Sequence, residues 1–292
     1  MVKQLIKWLV PHGLVEARER RILERNRTAY HMERKARIKT ALSSANSNGS
    51  LNPLDHLALI SFLESREIPR VHLVEGSIPP ESLQYLNEKI TDSFTSGDAL
   101  FGLHIGNFVG VSLSYLTGVL HKINKQSLVV AIDPNLTHRG VANPQSHVAA
   151  LLSACGLQEN VLLVAGYSGT KSISNDGAVF VGYDPGKQYS EEHGCQNCIK
   201  SLGKLADGAF HVALMDGNHE AEYLRDEIAQ VTTLLRPGGF IILDDVDSNW
   251  QELKDVFHSL TEFGFEIVGT DGRVGVARLL GPAGASEQKV RF

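Results

Sequence analysis

From residue 99 onward the chain alternates short apolar runs with helical patterns, and this alternation limits the folds open to it. The runs fall at 99–104, 127–132, 161–165, 210–215 and 240–243, with helix-period segments at about 110–122, 143–156, 196–206, 219–235 and 248–263. The runs are short and apolar, without the regular polar alternation of a strand that has one wet face. Strands of this kind, separated by helices, predict an α/β fold: a parallel sheet with helices on both faces. The end of the chain departs from the pattern. Segments 265–270 and 273–279 read as two strands joined by the tight-turn pair Asp271-Gly272, and so predict an antiparallel pair at one sheet edge.

Residues 1–96 read as a helical extension ahead of the sheet region at 97–292. In its first part, 1–42, Val2, Leu5, Ile6 and Leu9 follow a helical period that Pro11-His12-Gly13 breaks. Residues 1–39 hold eleven basic side chains against four acidic ones, a net +7, so the rest of a chain with total charge −5 carries −12. A basic arm on an acidic body argues against a nucleic-acid-binding body. Two readings stay open for the arm: a solvated helix packed on the body or on a second copy of the chain, and a peripheral contact with an anionic membrane surface. The Ser/Asn-rich stretch 43–50 reads as a linker, and 53–65 and 80–95 as helices that cap the main domain.

An apolar share of 42% with 21% charged residues excludes disorder along the whole chain. No apolar run approaches the roughly 20 residues of a membrane-spanning helix. The apolar stretch 2–10 is interrupted by Lys3, Gln4 and Lys7, unlike a secretory signal. Three cysteines make no disulfide framework, which points to a reducing cytoplasm.

Ligands of open parallel sheets bind beyond the carboxyl ends of the strands. After the first strand stands His104-Ile105-Gly106-Asn107-Phe108-Val109-Gly110-Val111-Ser112. Gly106 there allows a tight turn and close ligand approach, and Gly110 opens a helix whose amides attract polar groups. After the second strand stands Asp133, 27 residues beyond Gly106, where a carboxylate suits two ribose hydroxyls; an Asp is also a common turn starter. Gly166-Tyr167-Ser168 follows the third strand, where an adenine ring would lie. Asp216-Gly217-Asn218-His219-Glu220 follows the fourth, and Asp244-Asp245 the fifth, with Arg236-Pro237-Gly238-Gly239 launching that strand. Three carboxylates at one rim repel unless neutralised, and hard oxygen ligands suit Mg²⁺. The other reading has Asp245 capping the next helix and Asp216 bound only to backbone or water.

Over about residues 97–280 the chain resembles the class I S-adenosylmethionine-dependent methyltransferases. The resemblance rests on the glycine turn at 104–112, on Asp133, on the block from Leu214 to Glu220, on Leu235-Arg236-Pro237-Gly238-Gly239 and on Asp244-Asp245. The late block is similar to that of small-molecule O-methyltransferases of sugar, polysaccharide and macrolide-glycoside pathways. The resemblance implies a seven-stranded Rossmann-like sheet in the order 3-2-1-4-5-7-6 with the last strand antiparallel. It also implies S-adenosylmethionine as cofactor, held by His104, Gly106, Asn107, Gly110, Ser112, Asp133, Gly166, Tyr167 and Ser168. His104 departs from the family, which has Glu or Asp at that position. Methyl transfer to a hydroxyl of a small, sugar-containing acceptor follows, with His219 as candidate base, Asp216 as its rival, and Mg²⁺ on Asp216, Asp244 and Asp245.

Two other functions compete. A dinucleotide-dependent oxidoreductase needs a Gly-x-Gly-x-x-Gly turn, and here only Gly106 and Gly110 are present. A non-catalytic protein that keeps the fold is the second. The long connection 169–194 reads as a substrate lid. Cys195-x-x-Cys198 has no second pair to complete a structural zinc site, and reads as a helix start.

Overall fold

The computed structural model describes residues 49–95, 97–169, 197–247 and 249–281, with isolated helical positions between 21 and 36. Most of the basic arm, Cys195 and all but the first residue of the connection read as a lid lie outside the described residues.

Three helices come first: α1 (His56–Ser65), α2 (Arg70–Glu75) and α3 (Pro80–Ser93). Asp55 caps α1 by accepting the Ala58 amide at 3.0 Å, and proline opens α3, where a missing N–H costs nothing. Helix α2, six residues long, is too short to show a period and was not expected. The sheet region follows as β1 (Phe101–Ile105), α4 (Val111–Ile123), β2 (Leu128–Asp133), α5 (Pro144–Cys155), β3 (Val161–Ala165), α6 (Cys198–Gly203), β4 (Phe210–Met215), α7 (Ala221–Leu234), β5 (Leu235–Leu243), α8 (Gln251–His258), β6 (Phe265–Thr270) and β7 (Gly275–Leu279).

The seven strands form one sheet in the order β3-β2-β1-β4-β5-β7-β6. Neighbours from β3 to β5 are parallel, and β7 runs antiparallel to both β5 and β6. The fold is the seven-stranded one expected. Strand β5 starts five residues earlier than expected, at Leu235. Its Pro237-Gly238-Gly239 turn is a bulge inside the strand, between the pairs Phe210–Leu235 and Val212–Phe240, with Gly238 at φ +81°.

Side chains alternate across the strands and so divide the core in two. Val212 and Leu214 of β4 pack toward α4, α5 and the N-terminal helices. Ala213 and Met215 pack toward α7 and α8. The first ten residues of α4 are all buried, because the sheet covers one side and the N-terminal helices cover the other. Gly118 of α4 permits this contact, since a Cβ there would stand 2.6 Å from the Pro53 ring. The N-terminal helices therefore share a core with the sheet. Among the described residues no helix is long and apolar enough to cross a membrane.

Candidate functional site

The strand exits surround a cavity of about 820 Å³, within the range of small-molecule and cofactor sites. Its wall includes Gly106 and Phe108 after β1, Asp133 at the end of β2, Tyr167 and Ser168 after β3, Asp216 to Glu220 after β4, Asp245 after β5, and Arg273 from the β6–β7 turn. Helix α2 adds Glu75, and the β2–α5 loop adds His138 and Arg139, which pairs with Glu75 at 3.0 Å.

The β1 and β2 exits are organised by backbone. Gly106 stands at φ +83°, and a Cβ there would lie 1.9 Å from the Asp216 carbonyl oxygen. Glycine is needed because the β1 and β4 exits touch at this point. Asp133 accepts the amides of Asn107 at 2.7 Å and Phe108 at 3.3 Å on Oδ2, and of Asn135 at 2.7 Å on Oδ1. Its carboxylate thus clamps the glycine turn as well as facing the cavity. Burial raises the Asp133 pKa, against the pull of those three amides. Gly110, at φ +91°, begins α4 and lies against Val148.

His104 and Ser112 meet each other beneath the turn, with Nε2 and Oγ 3.1 Å apart, and both are buried. Burial lowers the His104 pKa to about 3, against a hydrogen bond with Asn107 that favours the protonated ring, so the ring is neutral. Neither residue lines the cavity, nor do Asn107, Gly110 and Gly166. The Gly166 amide ties to the Asp133 carbonyl at 3.0 Å.

At the β3 exit Ser168 donates to Glu227 of α7 and lies 3.1 Å from the Tyr223 hydroxyl, which also accepts the Gly169 amide at 3.0 Å. Glu227 is 1% exposed, and burial pushes its carboxyl up to about 8 despite the Ser168 hydrogen bond. Sequence reasoning missed Tyr223 and Glu227. They lie one helical turn apart, at i and i+4, which is the only signal the sequence carries for them.

The exits of β4 and β5, with the turn that enters β7, are organised by charge. Asp244 takes a two-pronged contact from Arg273, Nε to Oδ1 at 3.0 Å and Nη2 to Oδ2 at 2.8 Å. Asp245 meets Arg273 at 3.3 Å through Oδ1 and His219 Nε2 at 2.7 Å through Oδ2. It holds a left-handed backbone, φ +56°, a sparsely populated state for a residue other than glycine. It does not cap α8, whose N-cap is Trp250. The Trp250 ring lies 4.8 Å from that of His219.

Burial, then Asp244 and Asp245, raise the Asp216 carboxyl well above the usual range, with Arg273 opposing. Burial also raises Asp244, against the Arg273 hydrogen bond. Burial works against a charged Asp245 too, but His219 and Arg273 outweigh it and hold that carboxyl below its ordinary value. Burial, then Arg139 and His219, lower His138 to about 4.

The Mg²⁺ expectation is corrected here. It rested on three uncompensated acids, but Arg273 pairs with Asp244 and Asp245, and burial favours the neutral form of Asp216. Among the described residues no group of three His, Cys, Asp or Glu side chains is placed to hold a metal ion. Cys198 starts α6, half-buried, and Cys155 is buried elsewhere.

Residues 103–246 match a family described as a methyltransferase domain. Solved structures with this fold include the SAH-bound Podospora anserina methyltransferase PaMTH1, 14% identical, with a TM-score of 0.50 over 87% of this chain and 96% of that one. Another is the cofactor-bound protein Rv0187 from MTB, 18% identical, with a TM-score of 0.50 over 80% of this chain and 92% of that one. A search of curated proteins gave no match.

Proposed function

We propose that this S-adenosylmethionine-dependent methyltransferase places its methyl group on a hydroxyl oxygen of a small, sugar-containing acceptor, with His219 as the base. The observation that carries the reading is the Asp245–His219 pair, 2.7 Å apart on the wall of the cavity. The sparse cysteines favour a reducing cytoplasm as the setting.

The donor set fits the cofactor. Asp133 faces the cavity with a carboxylate suited to ribose hydroxyls, and Tyr167 and Ser168 offer a ring face and a polar edge nearby. S-adenosylmethionine, when bound, supplies an electrophilic methyl on a sulfonium. The chain must then orient an oxygen nucleophile and take its proton. With Nε2–H donating to Asp245, the lone pair of His219 is on Nδ1, and the carboxylate stabilises the imidazolium that forms when the acceptor proton arrives. Asp216, whose carboxyl is raised by burial and by two neighbouring acids, is the second candidate base. Asn218, Asp247, Asn249 and Trp250 line the same end of the cavity, and hydrogen-bonding groups beside an aromatic ring suit a polyhydroxylated acceptor.

The test is transfer of labelled methyl from S-adenosylmethionine to a panel of glycosides, phenols and amines. Label on a sugar hydroxyl is expected, with His219→Asn lowering kcat about 100-fold or more and leaving cofactor affinity unchanged. Label on nitrogen, or a His219→Asn variant with full kcat, would contradict the reading.

A further inference from the structure

Asp216, Asp244 and Asp245 gather at the ends of two neighbouring strands, a donor pattern that hard divalent cations use. The geometry does not fit that use. Asp244 spends both oxygens on Arg273, and Asp245 divides its oxygens between Arg273 and His219. We propose that Arg273 is the rim's built-in cation, a positioning residue that takes the place of a divalent ion, so that methyl transfer proceeds without one.

Three features support this. The first is the match of shapes. A guanidinium presents a planar fork that fits a carboxylate in two-pronged fashion, and its charge does not depend on pH or on metal supply. Its Nη2 reaches both Asp244, at 2.8 Å, and Asp245, at 3.3 Å, so one cation bridges two acids as a metal would.

The second is anchoring. Arg273 follows Asp271-Gly272, where Gly272 has φ +103° and Asp271 Oδ1 accepts the amides of Arg273 at 2.9 Å and Val274 at 2.7 Å. The Arg273 carbonyl accepts the Val246 amide at 2.8 Å, which ties the turn to the β5 exit beside Asp244 and Asp245. Main chain and side chain therefore hold the same two strand ends together.

The third is reach. About a third of the Arg273 side chain is exposed, and it lines the cavity with His219. The path from Arg273 to Asp245 to His219 sets the ring that takes the acceptor's proton. This goes beyond the choice of acceptor and is tested without one.

The probe is Mn²⁺, titrated into the purified, chelator-treated full chain and followed by paramagnetic resonance. The wild type is expected to take up no stoichiometric Mn²⁺, and its S-adenosylmethionine affinity to stay within twofold with or without chelator. Arg273→Met frees the acids and is expected to bind one Mn²⁺ at least tenfold more tightly than the wild type, an uptake that Asp244→Asn then removes. Arg273→Lys keeps a cation at the rim and is expected to stay metal-free. One equivalent of Mn²⁺ on the wild type, lost in Asp216→Asn, would overturn the proposal, and this holds even if Arg273→Met fails to fold. A folded Arg273→Met variant that gains no Mn²⁺ would overturn it as well.

Discussion

At the ends of β1 and β2 the cavity rim is held by main chain, three amides meeting on the carboxylate of Asp133. At the ends of β4 and β5 and the start of β7 it is held by side chains, two carboxylates meeting on the guanidinium of Arg273. The first arrangement fixes shape: amides cannot change charge, and their positions follow from φ and ψ. The second fixes charge, and a substitution there alters electrostatics before it alters the path of the chain. A site that must grip one molecule and activate another benefits from both, a rigid cradle on one side and a tuned set of ionisable groups on the other.

The two halves touch at Gly106, and the largest effect is expected there. A Cβ at this position would collide with the Asp216 carbonyl at 1.9 Å and strain a backbone at φ +83°. Gly106→Ala is expected to cost about 4 kcal/mol or more, a fall of roughly 10 °C in thermal unfolding. A melting temperature unchanged from the wild type would mean that the two exits are not in contact.

Glu227 tests whether the backbone half also hides a charge. Its carboxyl is raised from 4.5 to about 8 by burial, so between those values the native state keeps a proton that the unfolded chain has released. Its contribution to stability is full below the unfolded value, falls as pH rises through that window, and is flat above about 8. Relative to Glu227→Gln, the wild type is expected to lose roughly 2–4 kcal/mol of unfolding free energy across the window. Parallel denaturant-unfolding profiles for the two proteins from pH 5 to pH 9 would show that this carboxyl is ionised throughout.

A paired comparison gives the smallest but sharpest contrast. Asp133→Ala is expected to weaken S-adenosylmethionine binding about 10- to 100-fold, roughly 1.5–3 kcal/mol. Asp245→Asn should leave that affinity within about twofold and act on kcat instead, because its partner is the base. Equal losses of affinity in the two variants would erase the distinction between the halves.

The sheet was legible because each strand announces itself locally: β4 is six buried residues in a row, as its apolar run implies. Helix α2 was not, because six residues carry too little pattern. His104 could have been placed by alternation. Leu103 and Ile105 pack on the α7 side, so the residue between them must face α4, where Ser112 waits. Asp133 was found by position, but the three amides it holds depend on left-handed backbone at Asn135, φ +57°, a residue type that tolerates it, and at Phe108, φ +42°, which its residue type does not announce. Arg273 was missed although a physical signal exists. An antiparallel strand begins where its parallel neighbours end, so the turn that leads into β7 arrives at the ligand-binding rim. The sequence shows where the acids stand and gives no sign of which cation 29 residues away closes on them.

The account stands on the cavity at the strand exits being a cofactor site for S-adenosylmethionine. Titration calorimetry of the full chain with S-adenosylmethionine and, separately, with NAD addresses that directly. Saturable one-to-one binding of S-adenosylmethionine and no heat of binding with NAD is the predicted result. A folded protein that binds NAD and not S-adenosylmethionine, or that binds neither, would contradict it.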